Sequence, residues 1–247
     1  AIEYAIAQYG NISDAIAYTY QQEGHAFYVL TFPSANATWV YDVSTQAWHE
    51  RAGWENSQFT RHRSNCQMSF NNQIVVGDFE NSNLYTFDLD VYADNGQVQK
   101  WLRSWRALAT GKNDLKRSSH HSLQLDAESG VGLSGNEAGN SYDNLTTEDG
   151  NLLITEDGIY ISVTSSVVPT QGANPQVNLR WSDDGGHTWS NEYAASMGKI
   201  GEYGKRIFWR RLGMTLKLRD RVYEVSGTDP VKIAIMGAEL FVTATNA

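Results

Sequence analysis

Short runs of β-branched and aromatic residues, separated by turn residues, recur along the whole chain, and long helical periodicity is nearly absent. Runs of this kind predict β-strands. The first part of the chain contains two sets of four such runs, at 15–20, 26–32, 38–43 and 47–53, and then at 65–70, 73–79, 83–92 and 98–105. The sequence therefore predicts an all-β chain.

The two sets of predicted strands repeat at a regular distance. Tyr41-Asp42 in the first set and Phe87-Asp88 in the second are 46 residues apart. A unit of roughly 40–50 residues with four short antiparallel strands is typical of a propeller blade. We therefore predict β-propeller-like blades of four antiparallel strands. A β-sandwich built from similar hairpins is the alternative.

The chain divides by composition into three predicted segments. Residues 1–133 contain the blades, and residues 174–247 contain further strands of the same β domain. Residues 134–173 are rich in Gly, Asn, Asp and Thr and predict an insertion that is partly hairpin and partly loop. Thr-Glu-Asp-Gly occurs twice there, but the spacing is not that of a calcium loop, so we expect solvated turns. Five more strands are predicted, at 121–126, 177–181, 205–213, 219–227 and 231–242.

The stretch Trp-Ser-Asp-Asp-Gly-Gly-His-Thr-Trp at 181–189 is the most specific motif. It fits the pattern Ser-x-Asp-x-Gly-x-Thr-Trp at Ser182, Asp184, Gly186, Thr188 and Trp189. This pattern resembles the Asp box of sialidases and other propellers, where it joins two strands of a blade. A short carboxylate can accept hydrogen bonds from nearby backbone N–H groups, and Gly supplies a positive φ. We therefore predict a structural turn rather than a catalytic or metal-binding loop.

The first predicted blade contains a similar spacing. Asp42 lies six residues before Trp48, as Asp183 lies six residues before Trp189. The strand–turn–strand surroundings are also alike. The first blade is therefore expected to carry a degenerate copy of the motif at the same joint.

Positive charge is concentrated in one stretch. The chain has a net charge of −9, and residues 199–221 hold eight of its 19 basic residues against two acidic ones. That stretch therefore carries +6 and the rest of the chain −15. It could dock a neighbouring subunit, make transient non-specific contact with DNA phosphates, or form a solvated sheet face.

Alternation along Lys-Arg-Ile-Phe-Trp-Arg-Arg suggests how the basic stretch could bind. It places Arg206 and Arg210 with Phe208 on one face, and Arg211 with Ile207 and Trp209 on the other. Each predicted face mixes apolar and cationic groups, which favours an interface, where Arg and Trp are enriched. The candidate subunit-interface residues are Arg206, Arg210 and Arg211.

The cysteine and the paired histidines do not form the pattern of a catalytic or metal-binding site. The single cysteine, Cys66, cannot form an intramolecular disulfide and is expected to be a small buried residue. His120 and His121 would point to opposite faces of a strand, which makes a poor metal pair. No catalytic residue, cofactor or metal is therefore predicted, and no apolar run approaches the ~20 residues of a membrane span.

Several consecutive segments together resemble a known family. These are His-His-Ser-Leu-Gln-Leu-Asp-Ala-Glu-Ser-Gly-Val-Gly at 120–132, the segment 175–213 that contains the motif and ends in Ile-Phe-Trp-Arg-Arg-Leu-Gly, and 219–240 with Arg-Val-Tyr-Glu-Val-Ser-Gly. Their order is similar to the C-terminal part of the phage packaged-DNA stabilisation family, the tail hub or nozzle proteins of short-tailed phages.

The resemblance implies a structural virion protein without enzyme activity. Copies of such a subunit form a ring below the portal and adaptor, extend the DNA channel, help to retain packaged DNA and offer an attachment point for tail fibres or spikes. The implied partners are copies of itself and other tail proteins, and the implied location is the phage tail after assembly in the host cytoplasm. A carbohydrate-binding propeller and a sialidase-like glycoside hydrolase are the alternatives.

Overall fold

The structure is a computed structural model that describes residues 2–94, 96–106, 117–134, 139–144, 146–147, 151–156, 162–167, 171–215 and 221–244. Antiparallel strands make up almost all of the regular structure in these residues, and one short helix, α1, spans Ile2–Gln8. The prediction of an all-β chain is confirmed. None of the described helices is long and apolar enough to cross a membrane.

The chain forms two compact units, Ala1–Lys100 and Trp101–Ala247. The three predicted segments do not coincide with this division. The run at 98–105 was predicted as the fourth strand of the second blade, but β10, Trp101–Arg106, pairs with β17, Val222–Gly227, more than a hundred residues later. Local patterns detect a strand but do not identify a distant partner, which explains the error.

The first unit contains two main sheets. Sheet I has the order β1-β2-β3-β4, with β1 at Ile16–Gln22, β2 at His25–Phe32, β3 at Ala37–Asp42 and β4 at Ala47–Glu50. Sheet II has the order β7-β8-β9, with β7 at Ser64–Phe70, β8 at Gln73–Asp78 and β9 at Leu84–Thr86. A hairpin of β5, Ala52–Glu55, and β6, Gln58–Arg61, lies between them in sequence. The run predicted at 47–53 is divided between β4 and β5.

Sheets I and II pack against each other through apolar side chains. Tyr20, Val29 and Val40 of sheet I are buried, and Ile74 of β8 and Phe87 just after β9 pack against them. The Tyr20 and Phe87 ring centroids are 5.1 Å apart. One face of each sheet is therefore used in the core of the first unit.

The second unit contains two further sheets and a separate hairpin. Sheet III has the order β10-β17-β14-β15, with β14 at Gln176–Ser182 and β15 at Tyr193–Ser196. Sheet IV has the order β16-β11-β18, with β16 at Ile207–Met214, β11 at Ser118–Ala127 and β18 at Ile235–Ala244. The hairpin consists of β12, Gly139–Asn144, and β13, Ser162–Val167.

Sheets III and IV share one hydrophobic core. Alternate residues of both sheets enter a single buried cluster that includes Leu123, Leu125, Val177, Leu179, Ile207, Trp209, Tyr223 and Val225. Burying one Val or Leu side chain contributes ~1.5–3 kcal/mol, so this cluster dominates the stability of the unit. Two sheets facing one core form a sandwich-like arrangement, whereas the sequence had predicted further blade strands for residues 174–247.

Candidate functional site: the Asp183–Asp184 turn and strand β16

The turn after β14 is held by hydrogen bonds to Asp184. The Ser182 hydroxyl donates to Asp184 Oδ1 at 2.6 Å, and the Thr188 hydroxyl donates to Oδ2 at 2.7 Å. The backbone N–H groups of His187 and Thr188 donate to Oδ1 at 3.0 and 2.9 Å. These bonds, chiefly those from Ser182 and Thr188, hold the pKa of Asp184 well below its ordinary value. The carboxylate is therefore ionised and fully engaged by its own turn.

The other motif residues complete the same turn. Ser182 Oγ accepts a hydrogen bond from the Gly186 N–H at 2.9 Å. Gly185 and Gly186 have φ values of +77° and +105°, which residues with a side chain rarely adopt. The structure thus brings Ser182, Asp184, Gly186 and Thr188 together. Their assignment as a structural turn stays a prediction.

The tryptophan of the motif, Trp189, packs against an arginine side chain. The Arg180 guanidinium lies over the Trp189 ring, 4.6 Å from its centroid. Trp48 in the first unit contacts the Tyr41 ring, with centroids 5.1 Å apart. Neither tryptophan belongs to the two buried clusters described above.

Asp183 does not take part in its own turn but binds a buried arginine. Arg221 donates from Nε to Asp183 Oδ1 at 2.6 Å and from Nη2 to Oδ2 at 2.8 Å. Arg221 also donates to the carbonyl oxygens of Leu212 at 2.8 Å and Met214 at 3.1 Å, and its guanidinium lies over the Trp181 ring. Because Arg221 is only 2 % exposed, these partners offset the cost of burying its charge. The pair ties the turn after β14 to the end of β16.

The end of β16 contains a β-bulge. Arg210 is opposite Ser122 and Gly213 is opposite His120, so one extra residue lies on β16 between these two pairs. Arg211 within the bulge has a φ of +60° and is exposed. The bulge shifts the alternation by one residue, so that Leu212 instead of Arg211 enters the core.

Because of the bulge, the prediction that Arg211 shares a face with Ile207 and Trp209 is wrong. Ile207 and Trp209 are buried on the core face, and Arg211 does not share that face with them. Arg206 and Arg210 are exposed, and the Arg210 guanidinium lies 4.9 Å from the Phe208 ring centroid on the outer face. Only this outer face mixes apolar and cationic groups. The prediction assumed that side chains alternate strictly between the two faces of the strand, and this assumption leaves no place for an extra residue.

The basic stretch is therefore not one continuous surface. The three candidate interface residues, Arg206, Arg210 and Arg211, are exposed, but Arg221 is buried. Lys217 and Arg219 lie outside the described residues. Sequence analysis missed the Arg221–Asp183 pair because their spacing of 38 residues carries no local pattern.

A second buried polar side chain, His120, lies on β11 of sheet IV and contacts Tyr223 of sheet III. His120 Nδ1 lies 2.7 Å from the Tyr223 hydroxyl, and its Nε2 lies 3.0 Å from the Ser118 hydroxyl. Burial, together with the positive charge of Arg221, lowers the pKa of His120 to about 4. His120 is buried and His121 is exposed, so the prediction that they point to opposite faces is confirmed.

The first unit has a related turn at the joint of β3 and β4. Asp42 Oδ1 accepts a hydrogen bond from the Ser44 N–H at 2.9 Å, and Oδ2 accepts one from the Thr45 hydroxyl at 3.0 Å. Asp42 thus holds its own turn, as Asp184 does in the second unit. The sequence analysis had matched Asp42 with Asp183, because each lies six residues before a tryptophan. That match is wrong, because the hydrogen bonds of Asp42 correspond to those of Asp184.

The remaining predicted features concern metals and thiols. Among the residues that the structure describes, no group of three or more His, Cys, Asp or Glu side chains could hold a metal ion. Cys66 is exposed on β7, so its predicted burial is wrong. The acidic turns at 147–150 and 155–158 lie largely outside the described residues.

Two family models match the chain, one in each unit. Residues 1–92 match the model described as "Bacteriophage P22 Gp10, beta-propeller", and residues 144–243 match the model described as "Bacteriophage P22 Gp10, beta-sandwich". A search among individually curated proteins gives no significant match. Neither family description names a catalytic activity, and the two matches cover different parts of one phage protein in chain order. The chain therefore belongs to the phage packaged-DNA stabilisation family, a family of phage tail structural proteins.

Proposed function

We propose that this chain is a subunit of a ring in the phage tail that extends the DNA channel and helps to retain the packaged genome. The observation that carries the proposal is that each unit contains a match to a domain of the same phage tail protein. Copies of itself and other tail proteins, such as an adaptor and a fibre or spike, are the proposed partners. The proposed location is the virion.

We also propose that the sheets of the first unit are blades of the propeller type. Sheet I supports this, because its four strands are joined consecutively by short turns and lie side by side in chain order. Sheet II continues the pattern with three strands and packs on sheet I face to face. Blades bury their faces only against neighbouring blades, which makes stacking the basis of stability in this unit.

The proposed contact with a neighbouring subunit is strand β16. Arg206 and Arg210 are exposed there, and Arg211 extends from the bulge that Arg221 holds in place through the Leu212 carbonyl. Arginine is enriched at the centre of protein interfaces, and a fixed backbone reduces the entropy lost on binding. The rest of the chain carries −15, so an acidic surface on the adjacent copy is a suitable partner.

A structural rather than enzymatic role is consistent with the state of the two motif carboxylates. Asp184 accepts hydrogen bonds from Ser182 and Thr188, and Asp183 is held by Arg221. A glycoside hydrolase needs one carboxylic acid that can donate a proton and a second carboxylate near it. Because the low pKa of Asp184 keeps it ionised, it does not suit the acid role. We assign the motif to the fold.

The proposed contact with DNA is weak and transient. An acidic protein repels the phosphate backbone, and the exposed arginines of β16 are few. A channel wall of this kind would let the genome pass without holding it tightly. Retention would then come from closure of the ring and not from affinity.

Genome retention in particles made with and without this chain tests the function. Particles that lack the chain should lose their DNA, or their DNA should become sensitive to added nuclease, while heads still fill normally. Adding the purified chain during assembly should restore protection. Equal protection with and without the chain would contradict a role in stabilising packaged DNA.

A further inference from the structure

Arg211 has an unusual backbone conformation for its position in the fold. Its φ is +60°, although it lies inside strand β16. The other described residues that have both a side chain and a positive φ lie in turns between strands, where this conformation is common. They are Glu23, Asn36, Gln46, Asn56, Ser57, Asn71 and Asn72. Among the described strand residues other than glycine, Arg211 is thus alone in the left-handed region.

The bulge of β16 contains two left-handed positions, one on each side of Leu212. The second is Gly213, with a φ of +76°. Glycine adopts this conformation without steric cost, whereas a residue with a Cβ atom is destabilised by it. Glycine at both positions would therefore suit the backbone better. Strain of this kind is typical of functional sites, which points to a role for the Arg211 side chain.

The core side of the bulge holds Arg211 in the strained conformation. Leu212 is 2 % exposed and anchors the bulge in the core that sheets III and IV share. The carbonyl oxygens of Leu212 and Met214 accept hydrogen bonds from the buried Arg221. A strand without the bulge would place Arg211 in the core instead of Leu212 and would bury its charge. The surroundings therefore fix the position from which the Arg211 side chain starts.

The Arg211 side chain is exposed at an edge strand of sheet IV. Within the part of the chain that the structure describes, it has no ion-pair partner and no aromatic ring beneath it. Arg180, in contrast, pairs with Glu224, and the Arg210 guanidinium lies over the Phe208 ring. The Arg211 guanidinium is thus a cation on a fixed backbone that is available for binding.

The distribution of charge indicates the chemistry of the partner. The first unit, residues 1–100, has four basic and eleven acidic residues and carries −7, whereas the second unit has 15 basic and 17 acidic residues and carries −2. The four cations of the first unit already contact side chains of that unit; they are Arg51, Arg61, Arg63 and Lys100. A guanidinium binds a carboxylate through two parallel hydrogen bonds. The first unit of a neighbouring copy is therefore the more suitable partner for Arg211.

We propose that Arg211 determines the specificity of the β16 contact, and that the fold keeps it in a strained conformation so that its guanidinium binds a carboxylate on the first unit of a second copy. The inference rests on the proposed ring and names a residue and a partner within it. Stability and assembly should then oppose each other at this position, because the residue that suits the backbone best lacks the guanidinium.

The variant Arg211→Gly tests this opposition, because it removes the strain and the side chain together. Its melting temperature should rise by about 1–3 °C. Its self-association in sedimentation velocity should weaken on the order of tenfold, because the contact loses a charged hydrogen-bonding group. The matched control is Gln46→Gly, at an exposed turn residue with a φ of +54°. The control should gain similar stability and associate like wild type.

Two further variants separate the charge from the backbone. Arg211→Lys keeps the charge and the strain but lacks the planar guanidinium, so its association should lie between that of wild type and that of Arg211→Gly. Arg211→Asn tolerates the left-handed conformation without a charge and should associate as weakly as Arg211→Gly. It also gives a result if glycine loosens the bulge.

Four results would overturn the proposal. Wild-type association of Arg211→Gly and Arg211→Asn would show that Arg211 does not determine the contact, and the ring would still stand. Lower melting temperatures for both variants would show that the arginine stabilises the fold. Weaker binding to a DNA duplex with unchanged self-association would assign Arg211 to phosphate. If wild type stays monomeric at every concentration and with the other tail proteins, the proposed ring fails as well.

Discussion

Arg221 binds both carboxylate oxygens of Asp183, at 2.6 and 2.8 Å, and also two backbone carbonyls at the end of β16. One buried side chain therefore connects the turn after β14 to the strand that displays the candidate interface arginines. Removing Arg221 should affect both stability and assembly.

Arg221→Met should destabilise the protein by about 3–5 kcal/mol, because it leaves Asp183 without its cation and removes the donors to the Leu212 and Met214 carbonyls. The double variant Asp183→Asn with Arg221→Met should be less destabilised than the sum of the single changes. Urea unfolding followed by tryptophan fluorescence measures both. Additive effects would mean that the pair is not coupled.

Asp184→Ala should lower the melting temperature, because the N–H groups of His187 and Thr188 lose their acceptor. The matched control is Asp126→Ala, at an exposed residue of β11, which should melt like wild type. An unchanged melting temperature for Asp184→Ala would show that the turn is hydrated and has no structural role.

The low pKa of Asp184 also predicts a dependence on acid. Its folded pKa lies below the ordinary 3.8, so its contribution is complete above that value and is lost as the pH falls through the folded pKa. Wild type should therefore lose stability more steeply than Asp184→Ala below about pH 4. Parallel curves for the two proteins would contradict the assigned hydrogen bonds.

Two histidines, His120 in the core and the half-buried His62, should make stability depend on pH above this range. Burial lowers the pKa of His120 to about 4 and that of His62 to about 3, from 6.5. The unfolded chain binds more protons than the folded protein below pH 6.5, so stability should fall as the pH drops from 6.5 toward 4. His120→Gln should flatten this slope in pH-dependent thermal unfolding. NMR titration of His120 near 6.5 would contradict its buried neutral state.

Reversing the charges of β16 should weaken assembly without unfolding the chain. Arg210→Glu combined with Arg211→Glu changes exposed side chains and leaves the core residues Trp209 and Leu212 in place. Wild-type association should also weaken as salt screens it. The control is Arg103→Glu, at an exposed residue of β10. Assembly of the double variant at the wild-type level would identify β16 as a solvated edge.

The segment 134–173 stays a predicted insertion. β12 and β13 within it pair only with each other among the described residues. Replacing residues 136–149 with a short Gly/Ser linker should therefore leave the melting temperature of the remainder nearly unchanged. Loss of soluble expression would show that the segment belongs to the core.

The sequence predicted strand positions well because alternation and turn residues are local. β2 and β3, for example, begin within one residue of their predicted starts. It did not predict β15, the pairing of β10 with β17, or the bulge at Arg211, because these depend on partners far away in the chain or on a one-residue insertion. The hydrogen bonds of Ser182 and Asp184 fit the motif spacing, whereas the Asp183–Arg221 pair had no local signal.

The central claim is that copies of this chain form a ring around a channel. Electron microscopy of the purified chain, alone and mixed with the other tail proteins, tests it most directly. We expect closed rings of a fixed copy number with a central opening wide enough for a DNA duplex. Monomers under all conditions, or open filaments without a channel, would contradict the claim.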